Sequence, residues 1–226
     1  MNSLLFQIKT LPRDSTIHKI TFQTPHVALI QSLQKTNLLQ CGTSNLKYTE
    51  YTFKANTIEP LLLQQQQNTM SISTIVSFVK QLAIQLDYLI THHQSTFVGY
   101  HPNYIWVIDN HTMVYLGEIT PIDANTEYMT ISQPFSSRDL LLSPEMLNMT
   151  TLPCQVHYKS SYYSLALLVV YLLTNGNMEF YEEYVKSSQY NPLQALTTHP
   201  VKNTKLYWLL SRCVELNPAS RVILLV

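Results

Sequence analysis

Histidine, cysteine, lysine and carboxylate side chains are the groups with which this chain could do chemistry, and few of them fall into a working pattern. His92, His93, His101 and His111 lie close together in sequence, and imidazole is a common ligand of zinc and related metals. His92 and His93, however, close an amphipathic stretch. Adjacent helix positions do not face one ligand, and an imidazole suits the C-terminal end of a helix dipole, so no metal is expected. Cys41, Cys154 and Cys213 stand alone, without a Cys-x-x-Cys pair. Neither a zinc ribbon nor a disulfide framework follows, and a reducing, intracellular and cytoplasmic setting fits best. The four glycines, Gly42, Gly99, Gly117 and Gly176, form no Gly-x-Gly-x-x-Gly loop, so the backbone donors that cradle phosphates are missing. Fifteen Tyr and seven Phe with Trp106 and Trp208 could stack on bases. No basic stripe accompanies them, and core or protein interface is the expected use.

The elements that would position such groups are those of a globule. At 226 residues and 46% hydrophobic the chain can bury one sizeable core or two small lobes. Lys plus Arg equals Asp plus Glu at 14 each, and only 12% of residues are charged, so no net field favours nucleic acid or an anionic membrane. The run Gln64 to Gln67 is too short to count as low complexity. Met1 to Leu11 has no basic region followed by a sustained apolar stretch, so no signal peptide is expected. The sequons at Asn110-His111-Thr112 and Asn148-Met149-Thr150 then read as accidental. The longest apolar run, Leu165 to Leu173, is far short of the ~20 residues that span a bilayer.

The organisation changes near residue 55. Before it, strands are expected at Leu4 to Thr10, Leu38 to Cys41 and Leu46 to Phe53, around a helix from Pro25 to Lys35. After it helices dominate. Ser73 to His92 carries Ile75, Phe78, Val79, Leu82, Leu86 and Leu89 on one face, with a serine cap at its start. Strands are expected at Tyr104 to Ile108 and Met113 to Leu116, joined by the turn-forming Asp109 to Thr112. An irregular segment runs from Ile119 to Leu142. An apolar helix at 161–174, a polar stretch from Asn175 to Pro200 and an amphipathic helix from Lys202 to Leu216 complete the chain.

Four motifs in this order resemble those of the eukaryotic protein kinase family. Ser143-Pro144-Glu145 is similar to the Ala-Pro-Glu that closes the activation segment. Asn217-Pro218-Ala219-Ser220-Arg221 ends on the arginine that pairs with that glutamate. Pro102-Asn103-Tyr104-Ile105-Trp106-Val107 resembles the run after the catalytic loop, and Val114-Tyr115-Leu116-Gly117-Glu118 resembles the metal-binding strand and its aspartate. The resemblance implies an α+β, kinase-like two-lobe fold, with a truncated β-rich N-lobe at 1–54 and a mainly helical C-lobe at 55–226.

At the positions where the family keeps its chemistry the residue types are wrong. The His-Arg-Asp triplet aligns to Phe97-Val98-Gly99, so the base carboxylate is absent. The catalytic-loop lysine aligns to His101. The metal-holding asparagine aligns to Tyr104, whose phenol is a poor ligand for a hard cation. Glu118 replaces the metal-binding aspartate, and Phe6-Gln7-Ile8-Lys9 resembles the strand that carries the phosphate-contacting lysine. Only eight residues precede Lys9, too few for a glycine-rich hairpin, and its acidic partner falls on His26. Lys9 and Glu118 are thus vestigial candidates, with a solvated lysine and a surface carboxylate as their plain readings. The aspartate that opens the apolar helix and braces the catalytic loop is Ser161.

The resemblance therefore implies an inactive pseudokinase, without cofactor or metal, acting as a scaffold or a subunit of a larger assembly. Protein partners are expected, nucleic acid and a membrane span are not. The competing expectation is an atypical phosphotransferase or nucleotide sensor using Lys9 and Glu118. A buried Glu145–Arg221 ion pair is the structural test of the resemblance.

Overall fold

The computed structural model describes residues 6–12, 14–39, 42–67, 69–134, 140–187 and 190–223. Helix and strand mix in it, and all the sheets are small and antiparallel. The first comprises β1 (Phe6–Leu11), β2 (Asp14–Phe22), β3 (Thr43–Ser44) and β4 (Glu50–Lys54), in the order β1-β2-β4-β3. Helix α1 (Val27–Lys35) joins β2 to β3 and buries Leu29, Ile30 and Leu33.

Strand β2, the longest, has no counterpart among the expected strands. Its inward row is His18, Ile20 and Phe22, and the polar His18 hides the alternation. The ring is nonetheless buried, with Nε2 3.1 Å from the Ala55 carbonyl and Nδ1 3.1 Å from Thr10 Oγ1. Conversely, the strand expected at Leu38 to Cys41 is a bend at Leu38 and Leu39, where Leu39 N donates to the Leu33 carbonyl at 3.3 Å and the Leu39 carbonyl accepts from the Tyr51 phenol at 3.2 Å; Cys41 lies outside the described residues. The strand expected from Leu46 starts only at Glu50, because Asn45 caps the turn. Its Oδ1 accepts from the amides of Thr49 at 3.0 Å and Glu50 at 3.2 Å.

The polypeptide then forms β5 (Ile58–Pro60), α2 (Leu61–Gln67) and the long helix α3 (Ile72–His93). Its N-cap is Ser71, whose Oγ accepts from Thr74 N at 3.1 Å, two residues ahead of the expected start. Strands β6 (Ser95–Phe97), β7 (Ile105–Ile108), β8 (Thr112–Tyr115) and β9 (Ile119–Pro121) follow. β7 and β8 form the expected hairpin, with Asp109 and Asn110 at positive φ in its turn. Asp109 Oδ1 also accepts from the amides of Asn56 and Thr57 at 2.7 and 2.8 Å, tying the hairpin to the exit of the first sheet. β5 completes a three-stranded sheet, and β9 returns to pair with β6.

The open edge of β8 is closed by side chains. Gln81 of α3 accepts from Met113 N at 2.6 Å, while Gln85 accepts from Tyr115 N at 3.0 Å and donates to Tyr115 O at 2.9 Å. Two glutamines one helical turn apart thus stand in for a neighbouring strand, which satisfies backbone groups that burial would otherwise orphan.

The remainder holds β10 (Tyr128–Ile131), α4 (Pro144–Leu147), β11 (Cys154–His157), α5 (Ser160–Leu173), α6 (Glu179–Lys186) and α7 (Lys205–Cys213). β9 and β10 lie within the expected irregular segment, and β10 pairs with β11 over a small separate core of Val98, Met129, Ile131, Leu142, Met146 and Val156. α5 is buried on every side, as its unbroken apolar run predicts. α6 lies in the expected polar stretch and buries Phe180, Tyr181 and Tyr184. The main core is continuous from Phe6 of β1 to Cys213 of α7. Among the described residues no helix is long and apolar enough to cross a membrane.

Candidate functional site

The ion pair at Glu145 and Arg221 is formed. Proline at the first helical position starts α4 and sets Glu145 in its first turn, where a carboxylate suits the helix dipole. Arg221 follows a one-turn helix capped by Asn217, whose Oδ1 accepts from Ala219 N at 3.1 Å. The guanidinium is fully buried and grips the carboxylate with both terminal nitrogens, Nη1 on Oε1 and Nη2 on Oε2, the latter at 2.9 Å. Its Nε donates to the Glu215 carbonyl at 2.8 Å, Nη1 reaches the Lys159 carbonyl at 3.3 Å, and Cζ lies 4.9 Å from the centre of the Tyr163 ring. Glu145 keeps 22% of its side chain exposed. Bidentate geometry with extra carbonyl acceptors is what makes a buried arginine tolerable.

The segment ahead of α4 is held by phenols. Tyr181 of α6 donates to the Leu140 carbonyl at 2.6 Å and accepts from Leu142 N at 3.0 Å, and Tyr184 donates to the Leu142 carbonyl at 3.2 Å. Burial pushes both phenols above their ordinary range, so they remain protonated donors. Leu141 also bridges to Tyr100, its N–H donating to the Tyr100 carbonyl at 2.8 Å.

Gly99 sits against this segment with no room for a side chain. A Cβ there would lie 2.9 Å from Leu142 Cδ2 and 3.1 Å from the Leu141 carbonyl. On its other side Tyr115 reaches in from β8, donates to the Gly99 carbonyl at 2.7 Å and accepts from His101 N at 3.2 Å. The Tyr115 ring packs edge-on to Phe97 at 4.7 Å and beside Tyr100 at 4.6 Å. It also covers Gly117, where a Cβ would overlap the ring at 2.1 Å. All three rings are buried, and burial drives the Tyr115 phenol far above its ordinary range. Gly99 is thus enclosed in packed core.

His101 and Tyr104 are spent on structure. His101 Nδ1 accepts from Asn103 N at 3.1 Å and caps the single turn Pro102–Tyr104. The Tyr104 ring lies 4.9 Å from that of His101 and 5.9 Å, edge-on, from Phe6. Phe6 also meets Trp106 at 6.4 Å, so aromatic rings from β1, the Pro102–Tyr104 turn and β7 fill the junction between the four-stranded and three-stranded sheets. Lys9 is exposed on the face of β1 opposite to Phe6 and Ile8, and Glu118 is exposed beyond the end of β8. Ser161 links Thr96 of β6, which donates to its Oγ at 2.9 Å, to the Tyr158 carbonyl at 2.9 Å. It braces the strand entering the Gly99 turn.

Among the described residues no three His, Cys, Asp or Glu side chains come together as metal ligands. A hollow of about 300 Å³ lies between α4 and the chain around Met149 to Leu152, and another of about 350 Å³ lies beside α6 at Phe180 and Tyr190. Gly99, Tyr104 and Glu118 line neither of them.

The sequence singled out Lys9, Gly99, His101, Tyr104, Glu118, Glu145 and Arg221; Gly99, Glu145 and Arg221 meet at the 140–147 segment, His101 and Tyr104 lie beside Tyr115 and Phe6, and Lys9 and Glu118 stay exposed and apart. It did not single out Tyr115, Tyr181, Tyr184, Gln81 or Gln85. The spacing of Gln81 and Gln85 among apolar neighbours on α3 was a usable signal for the last two. No protein-family model matches this chain, and no curated protein matches it.

Proposed function

We propose that the protein is a catalytically inactive pseudokinase of the protein-kinase-like fold, a scaffold or subunit that works by binding protein partners. In this reading residues 1–54 belong to the small β-rich N-lobe and residues 55–226 to the helical C-lobe. One observation carries it. The staple that closes the activation segment is made in full by Glu145 and Arg221, while the position of the catalytic base, Gly99, is walled in by Leu141, Leu142 and Tyr115. Groups that act in phosphoryl transfer work as a unit, and here the unit has been replaced by packing.

The lysine of the family pairs with a glutamate on the regulatory helix. β2, not β1, feeds α1, so Lys19 is the better candidate for that lysine than Lys9. Its Nζ lies 3.0 Å from Glu50 on β4, and α1 carries no acidic residue. An atypical phosphotransferase using Lys9 and Glu118 has less support, since both side chains are exposed and no ion pair among the described residues includes either. An intracellular, reducing setting accords with free thiols at Cys154 and Cys213, the latter pushed up to about 12 by burial.

Thermal unfolding with and without millimolar magnesium and ATP tests the proposal. A ligand at about 100 times its dissociation constant stabilises by about 2.7 kcal/mol. An unchanged midpoint is expected. A rise that Glu118→Ala or Lys19→Ala abolishes overturns the inactive reading in favour of a nucleotide sensor.

A further inference from the structure

The two long edges of the protein's sheets are finished differently. β8 has its outer backbone groups satisfied by Gln81 and Gln85. β1, the terminal strand of the four-stranded sheet, pairs with β2 alone among the described residues. Every second residue of such a strand turns its N–H and C=O away from its neighbour, so β1 presents an open ladder. Exposed edges of this kind recruit another strand.

The side chains of β1 specify what that strand would carry. On the inward face Phe6 is buried, yet Ile8 is only half-buried although it packs on the core. On the outward face Lys9 stands directly opposite Lys19. Lys19 has its counter-charge, Glu50 at 3.0 Å, whereas no ion pair among the described residues includes Lys9. Like charges face to face across strands are unfavourable, and an opposite charge on the next strand relieves them.

We infer that the β1 edge binds an extended segment of a protein partner in which apolar residues, covering Ile8, alternate with acidic ones, facing Lys9. This rests on the proposed role as a partner-binding protein and names the chemistry of the partner. A hydrophobic residue beside Ile8 completes the inward row, and a carboxylate beside Lys9 does for β1 what Glu50 does for β2.

Selection from a phage library of random dodecapeptides, run in parallel on the wild-type protein and on Lys9→Glu, tests it. The wild type should enrich alternating apolar and acidic sequences, and Lys9→Glu should shift the preference to basic ones. The most enriched acidic peptide, synthesised, should slow amide exchange in β1 and bind Lys9→Glu about tenfold more weakly. Lys9 is exposed, so the variant keeps the fold, and its amide-exchange pattern in the absence of peptide checks that directly. Recovery of no binders, of binders without acidic preference, or of peptides that protect amides elsewhere overturns the inference. So does a homodimer that protects β1 in peptide-free protein, which would make a second copy the occupant. The proposed function itself falls to a nucleotide-dependent rise in the unfolding midpoint, so the two failures are separately visible.

Discussion

Residues 140–147 are held from two sides, and the two sides differ in kind. Toward Arg221 the holding is polar: a bidentate ion pair, carbonyl acceptors on the guanidinium and two phenols on the backbone. Toward Gly99 it is steric, with Leu141 and Leu142 pressed on a residue that has no side chain and Tyr115 closing from behind. The polar side depends on residue identities, because only arginine offers a planar fork to a carboxylate. The steric side depends on volume, and its residues can be exchanged wholesale as long as the space stays filled.

Breaking the polar side should have the largest effect. Arg221→Met leaves Glu145 without its partner in a site that is 22% exposed and should cost about 3 to 5 kcal/mol, read from urea unfolding midpoints. A loss below about 1 kcal/mol would mean that the pair is a surface ornament. Gly99→Asp attacks the steric side by adding a carboxylate where the proposed kinase-like reading puts the base. Overpacking against Leu142 Cδ2 and the Leu141 carbonyl should cost about 3 kcal/mol, with no gain of phosphotransfer in a radiolabelled ATP assay. A stable Gly99→Asp protein would show that the space is not committed.

Tyr115→Phe keeps the ring but leaves the Gly99 carbonyl and the His101 amide without their shared partner. About 1 to 3 kcal/mol should be lost, and no loss would assign the steric side to the ring alone. The smallest effect is acid sensitivity. Burial holds the His157 pKa below its ordinary 6.5, while its Nδ1 accepts from Lys159 N at 3.2 Å, Nε2 sits 3.5 Å from Glu127 and Arg221 lies nearby. The unfolded chain takes up the proton first, so this contribution is complete above about pH 6.5 and is lost as pH falls through the lower folded value. Midpoints measured from pH 7.5 to 5 should decline, and less steeply in His157→Gln.

What could be read in advance follows the same division. Glu145 and Arg221 are legible because a motif names both partners 76 residues apart. α3 and α5 are legible because their periodicity and apolar run are strong. β2 was hidden by His18, a polar residue on an inward row whose nitrogens find partners only in other elements, Nδ1 at Thr10 Oγ1 of β1 and Nε2 at the Ala55 carbonyl just after β4. Tyr115 was visible as a departure from the motif the run resembles, yet the direction of its ring depends on the absence of Cβ atoms at Gly117 beside it and at Gly99, sixteen residues away. Gln81 and Gln85 stand out by their spacing among the apolar residues of α3, but their partner is evident only once β8 lies beside them.

The rings of Phe6, Tyr104 and Trp106 also give the protein an optical handle. Trp106 lies at the junction of the two larger sheets, half-buried with its indole nitrogen buried, while Trp208 on α7 is 65% exposed. The folded chain therefore carries one shielded fluorophore and one wet one. A quencher dissolved in water reaches Trp208 more readily than the half-buried Trp106, and the emission that survives it longest is a spectroscopic view of that junction.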